Sequence, residues 1–321
     1  MQQTQLCTLL GIDFPIIQAA IAPFTSPELV AAVANVGGLG SLGAAMTPPD
    51  EFRRRLAKTQ ELTARPFVIN HAMSQFNAEI FQLSLAAKPA AISFANKDAG
   101  ELVQQVHEAG LKVIQQVHTV SQARQAAANG VDLIIAQGNE GGGFSGDVAA
   151  LTLIPQVVDA VRPVPVVAAG GIADGRGLAA ALMLGAVGIN IGTRFLASEE
   201  AIISQRWKQA IVRAESEETV KVDVINAIFP PPPGNYDVSP RSLRTAFLDE
   251  WQPRQQEARA EGERLRAELR ASIQSGDLYD YAPFTGQTAG AIHDILPAAQ
   301  IVRRIMAEAE ETLRSVYANV M

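Results

Sequence analysis

Residues 133–171 read LIIAQGNEGGGFSGDVAALTLIPQVVDAVRPVPVVAAGG. An apolar run, Leu133–Gln137, empties into a glycine-rich loop; a stretch with apolar residues at helical spacing follows at Leu151–Ala160; and a second apolar run, Pro165–Ala169, ends on paired glycines. Apolar runs of about four to seven residues have the length of buried strands, and a helical segment between two of them is the parallel strand–helix–strand pattern. The unit recurs on both sides. Upstream lie PIIQA (Pro15–Ala19), LGSLG (Leu39–Gly43), PFVIN (Pro66–Asn70), AAISF (Ala90–Phe94) and KVIQQV (Lys112–Val117), and downstream lies GINIG (Gly188–Gly192). Amphipathic stretches separate them at Ser26–Val36, Asp50–Leu62, Asn77–Ala87, Gly100–Ala109, Ser121–Ala128 and Arg176–Leu184. Ser26, Asp98, Ser121 and Asp174 suit helix starts, and Gly37, Gly110, Gly130 and Gly185 suit helix ends. Eight strands with seven intervening helices, repeating about every 25 residues, predict an α/β fold, the closed (β/α)8 TIM barrel, rather than an open doubly wound sheet.

The chain has 321 residues, 48% of them hydrophobic, enough for a large buried core. Its net charge of -7 and the absence of a basic run longer than Arg53–Arg55 argue against nucleic-acid binding and for a small-molecule substrate. One cysteine, Cys7, precludes an internal disulfide, and the N-terminus MQQTQLCTLL has no secretory pattern, so a cytoplasmic location is expected. No apolar run approaches the roughly 20 residues of a membrane span. No Cys/His spacing suits a metal.

Beyond the eighth run the pattern changes. Glu199–Ala214 reads as helix, Ser216–Ala227 as irregular, Phe229–Asp237 (FPPPPGNYD) as a proline-stiffened loop, and Pro240–Ser275 as a long charged helix broken near Trp251–Pro253. Ile292–Val320 returns to amphipathic helix and is a candidate for the closing eighth helix. The expected division is a barrel of residues 1–198 plus 284–321 and a mainly helical insertion after strand 8, residues 199–283, acting as a lid or a dimer face.

In a TIM barrel the site sits at the C-terminal ends of the strands. There, AAGGIADGRG (Ala168–Gly177) and GINIGTRF (Gly188–Phe195) leave backbone N–H groups free to face a phosphate, and Gly170, Gly171, Gly192 and Thr193 are the residues assigned to it. Gly141, Gly142 and Gly143 let backbone approach a flat or charged ligand without a Cβ in the way.

Together with PIIQAAIAPFTSPELVAAVANVGGLGSLG (Pro15–Gly43), QGNEGGGFSGD (Gln137–Asp147), GTRFL (Gly192–Leu196) and GQTAG (Gly286–Gly290), these motifs resemble the nitronate monooxygenase (2-nitropropane dioxygenase-like) family. That family of FMN-dependent barrel enzymes also contains NAD(P)H:quinone reductases and FMN-dependent enoyl-ACP reductases. The resemblance spans residues 12–196 and 284–310. It implies that Ala20, Ile21, Ala22 and Asn70 line the flavin and that Gln137 lies near its ring. It further implies that Gly171, Gly192 and Thr193 take the FMN phosphate while Gln287 and Gly290 close over the site. Gly142, Gly143 and Gly170 join the expected cofactor-binding set.

The chain departs from the family where the chemistry is expected. Nitronate-oxidising members read EAGGHxG in the loop, with histidine as the proposed base, whereas Phe144 stands at that position here. A phenyl ring accepts no proton, so a neutral nitroalkane is not deprotonated there, although a preformed nitronate needs no such step. The QAPM opening is also altered, to Gln18-Ala19-Ala20-Ile21. His71 and His118, after the third and fifth strands, are alternative bases, and Ser145, Glu140 and Asp147 are further polar candidates; His71, Phe144 and Ser145 form the expected catalytic set. The resemblance implies an FMN-dependent oxidoreductase that oxidises a small nitronate-like substrate with dioxygen. The alternatives are an NAD(P)H-dependent flavin reductase acting on a quinone or enoyl thioester, and a flavin-binding protein with lost or partner-dependent catalysis. A monomer and a homodimer are both compatible with the sequence.

Overall fold

The computed structural model describes residues 3–275 and 277–320. Its strands are β1 (Ile16–Gln18), β2 (Gly40–Gly43), β3 (Phe67–Ala72), β4 (Ala91–Ala95), β5 (Lys112–Val117), β6 (Leu133–Gln137), β7 (Gly143–Ser145), β8 (Val166–Ala169), β9 (Ile189–Ile191), β10 (Thr219–Lys221) and β11 (Ser239–Leu243). Eight of them form one parallel sheet in the order β1-β9-β8-β6-β5-β4-β3-β2. A parallel bridge between Ile17 and Leu39 joins the two ends, with the Gln18 amide donating to the Leu39 carbonyl at 2.9 Å, so the sheet closes on itself. The fold is the expected α/β TIM barrel.

Period-2 alternation divides the strand side chains between two layers. Ile17, Val68, Ile114, Ile135 and Val167 fill the barrel interior, whose N-terminal end is plugged by Leu6 and Leu10 of the helix Gln5–Leu10. Their neighbours Ile16, Ile69, Val113 and Ile134 pack outward against the helices. Ser26, Thr119 and Asp174 cap their helices through side-chain oxygens at 3.0–3.2 Å. The Ala298–Val320 helix packs between Gly175–Met183 and Pro27–Asn35, filling the eighth place in the outer ring. Gly175 makes that packing possible, because a Cβ there would collide with Ala309 and Glu308.

The C-terminal third differs from its sequence reading in detail. The helix expected at 199–214 covers only Gln205–Arg213, starting at the Ser204 cap. The last helix begins at Ala298 because Pro297 disfavours helical backbone in the residue before it, and the Glu200 carboxylate receives the Ala298 amide at 2.9 Å. Instead of opening a long helix, Pro240–Leu243 lies in β11, the centre of an antiparallel sheet ordered β10-β11-β7. Long-range pairing to the glycine loop overrides the local helical pattern there. The helices Ala246–Trp251, Gln255–Ala260 and Gly262–Gln274 follow, with a 3-10 turn at Gln252–Arg254 where the break was expected. Trp207, Val222, Leu248 and Leu265 belong to the same apolar cluster as the barrel's outer layer.

Candidate active site

The inward column of each strand opens at its C-terminal end into one cavity. Its floor and walls include Ala20, Ile21 and Ala22 after β1, Asn70 on β3, Gln116 on β5, Gln137 on β6, and Asn190 on β9. Gly141–Phe144, Gly170, Gly171, Gly192, Thr193, Phe284 and Thr288 complete the rim. The structure therefore gathers the expected flavin-lining residues around one space. The polar groups there are amides and hydroxyls linked into pairs: Asn70 Nδ2 donates to Ser93 Oγ at 3.1 Å, and Gln116 Nε2 to Gln137 Oε1 at 2.5 Å. No Asp, Glu, His, Lys, Arg, Tyr or Cys side chain is among the described residues that line it.

The loop after β6 is built from its glycines. A Cβ at Gly141 would strike the Gln137 amide, and one at Gly142 would come within 2.6 Å of the Gly286 nitrogen, so the loop threads between β6 and the Thr285–Gly286 turn. Those two glycines serve backbone-to-protein approach as well as the cavity wall. Gly143, at φ +67°, has no neighbour within 4 Å of such a Cβ. Glu140 accepts the Ala150 amide with both carboxylate oxygens, at 3.1 and 3.0 Å, capping the next helix. The loop then pairs as β7 with β11, Phe144 opposite Pro240. Lys221 Nζ binds the carbonyls of Ser145, Gly146 (2.8 Å) and Ser239 (3.3 Å), while Arg241 donates to Asn139 O at 3.0 Å and Thr219 O at 2.9 Å. Burial pushes the Lys221 pKa down, opposed by Asp147.

The expected catalytic residues fall in different places. Phe144 is in the cavity wall, its ring 6.0 Å from that of Phe284. His71 is not: on β3, Asn70 and Ala72 face inward, so the imidazole between them points to the helix layer. There it is 2% exposed, pairs through Nε2 with Ser84 Oγ at 3.1 Å, and lies among Phe76, Phe81 and Phe94. Burial takes its pKa down to about 4. Ser145 is also away from the cavity, its hydroxyl 3.4 Å from the carbonyls of Asn139 and Gly141, where it orders the loop. The Asp147 side chain is fully exposed. Gln287 acts through its backbone, its amide donating to Glu140 O at 2.9 Å and its carbonyl accepting from Ser216 at 2.8 Å; Thr288, beside it, lines the cavity. Gly290 backs onto Ser216 outside the cavity. Gln116, at the end of its strand, falls where a barrel's site is expected but has no role assigned from the sequence, and Asn190 escaped the sequence reading, although a polar residue inside the run GINIG was its signal.

The residues fit a flavin mononucleotide. Gly170 and Gly171 adopt φ of +84° and +73°, and among the described residues no group of the chain accepts the amides of Gly171 or Ile172. Open amides beside the short helix Thr193–Leu196 suit an anion, and the uncharged cavity suits a flat aromatic ring. Among the described residues, no cluster suited to a metal exists and no helix is long and apolar enough to cross a membrane.

The sequence profile of the nitronate monooxygenase family matches residues 3–79 and 74–308. A protein of Rhodococcus jostii named (3aS,4S,5R,7aS)-5-hydroxy-7a-methyl-1-oxo-octahydro-1H-indene-4-carboxyl-CoA dehydrogenase is 40% identical over 225 residues, 69% of this chain and 64% of that one. This chain thus spans less than two-thirds of that relative's length. A nitronate monooxygenase of Paraburkholderia phytofirmans is 30% identical, with 97% of this chain and 96% of the relative covered. The solved structure of FabK from Thermotoga maritima superposes with a TM-score of 0.91 at 34% identity over the whole of both chains. The chain belongs to the nitronate monooxygenase family.

Proposed function

We propose that this protein binds FMN and passes hydride from a reduced nicotinamide to a carbonyl-conjugated acceptor, an enoyl thioester or a quinone. The observation that carries the reading is the cavity wall: among the described residues it holds no ionisable side chain, and Phe144, at the position where the resemblance puts the family's histidine, lines it. Abstracting a proton from carbon needs a positioned base, whereas hydride exchange needs two flat partners held against each other in a dry site. Bound FMN would supply the two-electron hydride exchange. Asn70, Gln116 and Gln137 would hydrogen-bond the polar edge of the ring, and the backbone at Gly170–Ile172 and Gly192–Thr193 would take the phosphate. Phe144 and Phe284 would exclude water and select an apolar acceptor body. The 40%-identical relative, named for a bulky alicyclic carboxyl-CoA, supports a thioester acceptor. Residues 199–283 would act as cover, since β11, Lys221 and Arg241 hold the loop that carries Phe144.

The second reading, oxidation of a preformed nitronate with dioxygen, is favoured by the full-length resemblance to the Paraburkholderia enzyme. Anaerobic mixing with each donor separates the two. NADPH should bleach the flavin absorbance and ethylnitronate should not. Bleaching by ethylnitronate alone would overturn the hydride reading.

A further inference from the structure

The loop between β2 and the helix Pro49–Leu62 is short and closely held. The Ala44 amide donates to Asn70 O on β3 at 2.9 Å, Thr47 Oγ1 donates to Ala45 O at 3.2 Å, and Ala45 and Thr47 are both buried. Between those two, Met46 is 43% exposed and lines the cavity. Its φ is +57°, a left-handed backbone that glycine or asparagine adopts readily and that costs a methionine stability. Asn96, at φ +70°, is in the same wall and is a residue type that tolerates this conformation. Met46 is not such a type. Its side chain, partly in water on strained backbone, returns little to the fold, and strain of this kind gathers where a site needs a side chain in one place.

Past the ends of β2, β3 and β4 the cavity residues are Ala45, Met46, Ser74, Gln75 and Asn96, so among the described residues Met46 is the large apolar side chain on that side of the mouth. β2 stands four places from β6 in either direction round the closed ring of eight, which puts the Met46 loop and the Phe144 loop on opposite sides of the cavity. Asn70, Gln116 and Gln137, the side chains assigned to the flavin ring, lie on strands, whereas Met46 and Phe144 lie beyond the strand ends, on the solvent side. An acceptor entering the cavity passes between them.

We propose that Met46 is a specificity-determining residue for the acceptor: its side chain covers the apolar body of an acyl thioester from the side opposite Phe144, so that long or bulky acyl groups bind better than short ones. The naming of the acceptor rests on the hydride reading above. An unbranched thioether suits this contact, because it adapts its shape to an apolar surface and packs well near an aromatic ring.

The test titrates the full-length, FMN-loaded, oxidised protein with butyryl-pantetheine and octanoyl-pantetheine, saturated thioesters that are not turned over, and reads Kd from the change in flavin absorbance. Wild type should bind the octanoyl compound more tightly. Met46→Gly should raise the octanoyl Kd about tenfold, the effect of uncovering a few methylenes, and the butyryl Kd about twofold or less. Met46→Leu, which keeps the apolar bulk, should hold the octanoyl Kd within about threefold of wild type. Tm of Met46→Gly should equal or exceed that of wild type, since glycine takes this backbone without strain. Equal wild-type affinity for the two thioesters, or an unchanged ratio of their Kd values in Met46→Gly, would overturn the proposal. So would a fall in Tm of Met46→Gly, which would make the side chain a packing element. No NADPH enters the titration, so failure of NADPH to reduce the wild-type flavin would strike the hydride reading while the two Kd values still decide on Met46.

Discussion

Mild acid should destabilise this protein well above the range where its carboxylates titrate. His71 and His118 are both buried, and burial lowers each pKa from 6.5 to about 4. Between those values the unfolded chain binds a proton at each site and the folded chain does not, so stability is full above pH 6.5, falls as pH drops toward 4, and levels off below. Going from pH 7 to pH 5, this difference costs about 2 kcal/mol per histidine, about 4 kcal/mol for both. A loss of that size is a large fraction of a domain's stability. Urea unfolding at the two pH values, followed by far-UV circular dichroism, should show the midpoint falling at pH 5. The double variant His71→Leu/His118→Phe should lose most of that dependence. Its leucine has an apolar setting among Phe76, Phe81 and Phe94, and Ser84 Oγ keeps its bond to Ile80 O at 2.8 Å. An unchanged wild-type midpoint, or an equal pH dependence in the double variant, would refute the reasoning.

Three further outcomes follow from the loop. Lys221→Met removes the donor to Ser145, Gly146 and Ser239, and should cost about 1–3 kcal/mol while hydrogen exchange accelerates within residues 139–147 and not in β3 or β4. Equal exchange in the loop would mean that β7–β11 pairing alone holds it. Gly142→Ala places a Cβ 2.6 Å from the Gly286 nitrogen, with backbone on both sides, and should lower stability by about 1–3 kcal/mol and weaken FMN retention on a desalting column; retention equal to wild type would show that the turn yields. Phe144→His restores the base of nitronate-oxidising relatives at a position that lines the cavity, and should give oxygen uptake with neutral nitroethane that the parent chain lacks. No uptake in a variant that still binds flavin would show that the loop histidine does not suffice.

The barrel was legible because each strand and helix carries its own signal: a strand-length apolar run, a helical period, a cap. Pro240–Leu243 was not, since what makes it a strand is β7, almost a hundred residues earlier, and nothing local to Pro240-Arg241-Ser242 distinguishes it from a helix start. The histidines mark a finer boundary. Both follow apolar runs at the functional end of the barrel, so position alone treats them alike. Strand parity separates them: Asn70 faces inward, which sends His71 out among phenylalanines, whereas His118 lies past the end of β5, buried against Gly146 and Tyr236. Counting from Asn70 would have found the place of His71, because a lone amide in an apolar strand marks the inward face of a site.

The glycine loop needed the structure more than either histidine did. Its sequence allows close approach but does not name the partner, and the partners are Gln137, the Thr285–Gly286 turn and β11 as well as the cavity. Lys221, from a stretch expected to be irregular, and Arg241, from one expected to be a charged helix, fix the same loop. Phe144 is thereby held in a wall that, among the described residues, has no ionisable group, and the hold matters as much as its lack of a base. A mobile phenylalanine would let water or a side chain from the rim stand in for the missing histidine. A fixed one keeps the cavity apolar at that point.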